Sequence, residues 1–159
     1  MTARERRAVR GLLLTPQEEV LLIKVQFPWL RSEMWITPGG GVRRGESTRD
    51  ALAREILEET GLEVGEPGPE IWRREHLWDH VDPPVLQREQ YFLLRGERFE
   101  PRPGGLREGG ERDWFRGFEW WPIGRLPDRY DRFAPTRLGA LVRTLLREGA
   151  PDPPVEIGT

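Results

Sequence analysis

Glu55, Glu58 and Glu59 stand three and four residues apart, and that spacing is where chemistry is legible first. On a helix of about 3.6 residues per turn, the three positions fall within an arc of roughly 100°. Carboxylates so placed repel one another. Arg54 can offset part of the repulsion by pairing with Glu58, but it cannot neutralise all three. A hard divalent cation can, and Mg2+ takes a few carboxylates together with phosphate oxygens. A solvated acidic helix face has the same spacing, so the triplet alone leaves both readings open. Pro38 to Gly41 precedes the helix and brings bare backbone to its N-terminal side. Glycines let main-chain groups approach a ligand unobstructed, although an ordinary tight turn uses them too.

The helix must run from Ser47 to Thr60. Ser47 is the cap, Asp50 completes a capping-box pattern, and Gly61 sits where a left-handed stop belongs. Leu52, Ala53 and Ile56 form the adjoining arc that packs on a sheet. Ala51 lies inside the acidic arc, where its small side chain lets a loop come close.

Gly40, Glu46, Arg54, Glu55, Ile56, Glu58, Glu59, Gly61 and Leu62 fit in full the pattern of the Nudix box, so the chain resembles the Nudix (MutT-like) hydrolases. Trp35 and Pro38 before the box, and Trp120, Trp121, Leu126 and a C-terminal helix after it, resemble the rest of that domain. The resemblance implies an α+β fold, a Nudix-type α/β/α sandwich on a mixed sheet. It also implies Mg2+-dependent hydrolysis, with Mn2+ a substitute, of a pyrophosphate linkage in a nucleoside diphosphate derivative or a (deoxy)nucleoside triphosphate. In that reading Glu55, Glu58 and Glu59 are catalytic metal ligands, joined by the main-chain carbonyl of Gly39. Gly40, Glu46, Arg54 and Gly61 support the box, Glu46 and Arg54 as an ion pair bracing loop against helix.

The general base is open. Glu111 is the first candidate outside the box and Glu108 the second; Glu89, on a predicted strand, could also face the site, although an outward orientation is the favoured expectation. Arg31, Arg43 and Arg44 flank the glycine loop and could hold phosphates. Among the 7 tryptophans, Trp29, Trp72, Trp78 and Trp114 lie at loops or strand ends, and Trp78 is the candidate for stacking on a base. The alternatives are a non-catalytic nucleotide sensor, which degraded box glutamates would favour, and an isoprenoid diphosphate isomerase, which wants a cysteine that is absent.

Composition agrees with a domain of this kind. The 159 residues suit one domain over 1–150, with 151–159 as a loose tail. There is no cysteine, which excludes disulfides, thiolate zinc sites and cysteine nucleophiles. The net charge of -2 gives no general attraction to a nucleic-acid polymer or an anionic membrane. No signal-like apolar run follows the basic N-terminus, so a cytoplasmic protein is the default, and a homodimer is compatible with the resemblance. Strands are expected at Arg7–Leu14, Val20–Val25, Trp35–Thr37, Leu62–Val64, Ile71–Leu77, Gln87–Arg95 and Phe118–Trp121. A loop is expected at Glu97–Gly110 and a last helix at Thr136–Glu148.

Overall fold

The computed structural model describes residues 2–104 and 111–158, the side chains of Glu111 and Arg112 excepted. The apolar runs become strands β1 (Arg4–Leu14) and β2 (Glu19–Val25), then the short β3 (Met34–Ile36) and β4 (Gly39–Gly41). Helix α1 (Thr48–Thr60) follows, then β5 (Glu70–Trp78) and β6 (Val85–Arg95), which bulge against each other near Trp72. A single-turn helix α2 (Glu111–Trp114) leads into β7 (Phe115–Pro122), and β8 (Phe133–Ala134) precedes helix α3 (Leu138–Glu148) and β9 (Val155–Glu156).

These strands join one mixed sheet in the order β8-β3-β2-β1-β6-β5-β9, with β4 paired to β1 and β7 paired to β2. The central pair, β1 and β6, is parallel over the whole of β1, from Arg4↔Val85 to Leu14↔Arg95. Because side chains alternate along a strand, β1 and β2 each feed two cores. Leu12, Leu14, Val20 and Leu22 pack on one side with Tyr91, Leu93 and the α3 residues Leu138, Val142 and Leu145. Val9, Leu13 and Leu21 pack on the other with Ala51, Leu52 and Ile56 of α1. Helices therefore cover opposite faces of the sheet, the expected α/β/α arrangement. No helix among the described residues is long and apolar enough to cross a membrane.

Three expectations change. Leu62–Val64 is irregular; Leu62 and Val64 pack partly buried against the α1 side of the core, with no strand partner among the described residues. The tail is anchored where it was expected to be loose: β9 pairs in parallel with β5, Trp72 opposite Val155. Glu89 does not face outward but is buried at 3% exposure.

Helix α1 begins and ends as its sequence dictates. Ser47 Oγ accepts from the Asp50 amide at 3.1 Å. Gly61 adopts φ 80°, and its amide donates to the Leu57 carbonyl. A Cβ at Gly61 would add left-handed strain and meet the Arg102 carbonyl at 3.1 Å. Gly61→Ala is expected to cost about 1–2 kcal/mol and to lower Tm by about 2–8 °C. An unchanged melting curve followed by circular dichroism would remove the left-handed stop from this account.

Candidate active site

Glu55 and Glu59 are buried, at 5% and 8% exposure, although they belong to the acidic arc of α1. That observation disposes of a merely solvated acidic face, because buried carboxylates require compensation. The arc is turned toward β4, which packs against α1. Gly40 is what permits the approach: a Cβ there would lie 2.5 Å from the Glu55 carboxyl carbon. Gly39, at φ 151°, could not carry a Cβ without running into the Val9 carbonyl of β1. Its amide donates to Glu59 Oε2 at 2.9 Å. Ala51, inside the same arc, is fully buried.

Arg54 binds the box to itself. Its Nε and Nη2 donate to the two oxygens of Glu46 at 2.8 and 2.9 Å, a fork on a carboxylate. Nη2 also donates to the Gly41 carbonyl at 2.9 Å, and Nη1 to Glu55 at 2.8 Å and Glu58 at 3.4 Å. One guanidinium thus touches the loop, β4 and two of the three helix glutamates. The hydrogen bonds from Arg54 hold the Glu46 carboxyl down at about 2 against the opposing effect of burial, and the Arg43 amide adds to the lowering. The Arg54 guanidinium is correspondingly pushed up, chiefly by Glu46.

The donor set suits a hard divalent cation: three carboxylates beside a glycine strand with no side chains in the way. Among the described residues, however, no group of three acidic or histidine side chains is disposed to hold a metal as it stands. Glu55 and Glu58 are drawn onto Arg54 and Glu59 onto the Gly39 amide. Coordination would exchange some of these contacts for metal bonds.

The other candidates separate. Arg43 is half-exposed and lies 3.8 Å from Glu58, so it stands at the rim of the carboxylate group. Arg44 and Arg31 are exposed. The Glu111 side chain and all of Glu108 lie outside the described residues. Trp78 lines a pocket with Arg6, Arg10, Phe27 and Trp114, and Gly39 and Glu59 stand at the same pocket. Trp29, which is 39% exposed, stacks on Phe27 at 5.0 Å and on His80 at 4.4 Å. Trp72 is a core residue against Tyr91.

Sequence reasoning passed over Arg6, Arg10 and Arg74. Arg10 donates to Glu89 at 2.8 Å, Arg74 also pairs with Glu89, and Arg6 pairs with Gln87. A signal was present: Arg6 and Arg10 recur at even spacing on the β1 face that continues as Leu12 and Leu14. Polar residues on a face that becomes core point to a buried polar site.

A model of the NUDIX domain matches residues 4–141. The chain is 40% identical over 78 residues to the m7GpppN-mRNA hydrolase NUDT17 of Danio rerio, covering 48% of this chain and 26% of that protein. It is 35% identical over 103 residues to an RNA pyrophosphohydrolase of Thioalkalivibrio sulfidiphilus, covering 54% and 53%. To a putative 8-oxo-dGTP diphosphatase of Bacillus subtilis it is 31% identical over 119 residues, covering 73% and 66%. The chain therefore spans about a quarter of the fish relative's length and about half of the Thioalkalivibrio one. The crystal structure of a MutT NUDIX hydrolase from Burkholderia pseudomallei superposes with a TM-score of 0.66 at 23% identity, covering 86% of this chain and 95% of that one. The MutT protein from Methanosarcina mazei Go1 gives 0.66 at 17%, covering 93% and 97%. At these identities the structural likeness speaks for the fold.

The Glu46–Arg54 pair carries a pH dependence whose sign is fixed. Glu46 is depressed on folding, so the pair's contribution is complete above the ordinary carboxylate value of 4.5 and is lost as pH falls toward about 2. Glu46→Gln is expected to be less stable at neutral pH and to lose less Tm between pH 5 and pH 2. Parallel Tm-versus-pH curves for the two proteins would contradict the pairing.

Proposed function

The chain belongs to the NUDIX domain family, and on that premise we propose that it hydrolyses a pyrophosphate linkage in a nucleoside diphosphate derivative or a (deoxy)nucleoside triphosphate. The observation that carries this reading is the burial of Glu55 and Glu59 against a side-chain-free strand, with Glu58 at the rim beside them. Stability alone gives no reason to concentrate carboxylates there.

In this reading Glu55, Glu58 and Glu59, with the Gly39 carbonyl, hold Mg2+ or Mn2+. When bound, such a cation offsets the charge that develops on phosphate oxygens and lowers the pKa of an attacking water. Gly39 to Gly41 leave room for a phosphate to approach the backbone. Glu46 and Arg54 keep loop and helix in one arrangement, and Gly61 ends the helix without disturbing it. Arg43 at the rim, and the exposed Arg31 and Arg44, are the proposed phosphate-binding cations. Trp78 and Trp114, in the pocket that also reaches Glu59, offer flat apolar surface to a nucleobase. Glu111 is the proposed base outside the box. The names of the matched relatives support the class of reaction, since each is a hydrolase or diphosphatase with an RNA or nucleotide in its name. The chain is proposed to work in the cytoplasm on a small nucleotide, with a homodimer as a compatible assembly.

A screen of nucleoside triphosphates, dinucleoside polyphosphates, ADP-ribose and nucleoside diphosphate sugars with Mg2+ or Mn2+ tests the reading through released phosphate, pyrophosphate or nucleotide. Glu59→Gln and Glu58→Gln are expected to lower kcat on the best substrate by several orders of magnitude with an unchanged circular dichroism spectrum; near-normal turnover would refute the ligand assignment. Glu111→Gln is expected to slow turnover and flatten the acid limb of the pH–rate profile. A profile identical to that of the native chain would take Glu111 out of the base role.

A further inference from the structure

We propose that Glu89 and Arg10 are positioning residues for the catalytic loop: the buried Glu89 carboxylate fixes Arg10, and Arg10 holds the Thr37–Gly39 backbone against Glu59. The proposal rests on the function proposed above. It concerns residues of β1 and β6 that lie outside the box.

Glu89 sits in the middle of β6, beside the central strand β1. A carboxylate taken out of water there is costly, and it survives because two guanidinium groups meet it. Arg10 Nε donates to Glu89 Oε2 at 2.8 Å, and Arg74 of the neighbouring strand donates to the other oxygen. Gln87 Nε2 donates to Oε2 at 3.2 Å. Burial works against the charged form of Glu89, but Arg10 and Arg74 outweigh it and hold the carboxyl below its ordinary value. Replacing buried ion pairs by apolar side chains of similar volume is often neutral or stabilising, so stability by itself does not account for the cluster.

Arg10 gives the cluster a further role. While Nε is on Glu89, Nη1 donates to the Thr37 carbonyl at 3.3 Å. Arg10 pairs with Gly39 across the β1–β4 ladder, and the next amide, Gly11, donates to the Pro38 carbonyl at 2.8 Å. Gly39 in turn donates to Glu59. A continuous path therefore runs from Glu89 through Arg10 and the Thr37–Gly39 backbone to Glu59. Arg10 also lines the pocket that Gly39 and Glu59 share. Backbone pairing alone would set the height of β4 on β1; the Arg10 fork fixes the segment that enters it.

Two variants test this in the full chain. Glu89→Gln removes the charge that orients Arg10. Arg10→Lys keeps a charge for Glu89 but loses the fork, and decides the matter by the same readouts should the first variant not fold. Leu145→Ala, remote in the α3 core, is the control for lost stability. In metal-free protein, hydrogen exchange of the peptide spanning 37–41 is expected to quicken by about tenfold or more in both variants, whereas Leu145→Ala loosens α3 instead. On the best substrate, kcat is expected to fall by about tenfold or more with KM within about twofold, and not in the control at equal fraction folded. Unchanged exchange at 37–41 would overturn the proposal, as would faster exchange with native kcat, or a loss of turnover that merely follows stability. If the native chain cleaves none of the nucleotides screened, the proposed function falls. Exchange at 37–41 then decides the placement by itself.

Discussion

Arg54 meets two helix glutamates, a loop glutamate and a strand carbonyl with one planar group. A lysine has no rigid fork with which to do this. The geometry requires Glu46 to come back toward the helix, which fixes the turn between β4 and α1. It requires β4 to lie flat on α1, which only glycine at position 40 allows beside Glu55. The acidic cluster, the glycine strand and the loop are therefore one mechanical object. Removing the guanidinium would free Glu55 and Glu58 to repel each other and would detach the loop together with them.

Much of this object was legible in the sequence because its parts are local. Ser47, Gly61 and the three- and four-residue spacing of the glutamates act within a few turns of chain, and α1 forms where they place it. The central strands and α3 were readable for the same reason, from apolar runs and helical periodicity. Pairing across the sheet was not readable. Glu89 looked outward because an isolated strand does not reveal that Arg10 and Arg74 will stand on either side of it, 79 and 15 residues away in sequence. Leu62–Val64 has the composition of a strand but pairs with no strand among the described residues. The tail has the composition of a loop but meets the free edge of β5.

The polar side of the sheet contrasts with the box. There the charges are mostly negative; here Arg6, Arg10 and Arg74 outnumber Glu89. Phe27, Trp78 and Trp114 share one pocket with Arg6 and Arg10, and the Arg6 guanidinium lies 5.4 Å from the Trp78 ring centre. The two regions meet at Gly39 and Glu59. That recess therefore joins flat apolar and charged surfaces, and Arg10 lines it while donating to the Thr37 carbonyl just ahead of β4.

The pairing of Val155 and Glu156 with β5 matters for more than the ordering of a terminus. A sheet ends where its outermost strand finds no neighbour, and the naked amides and carbonyls there invite strands from other molecules. In this chain β9 caps the outer strand only near Trp72 and Arg73, and Leu77 further along is half in solvent. The few residues after α3 thus shield part of that edge, and the two-residue β9 leaves a short strand as the last member of the sheet on this side.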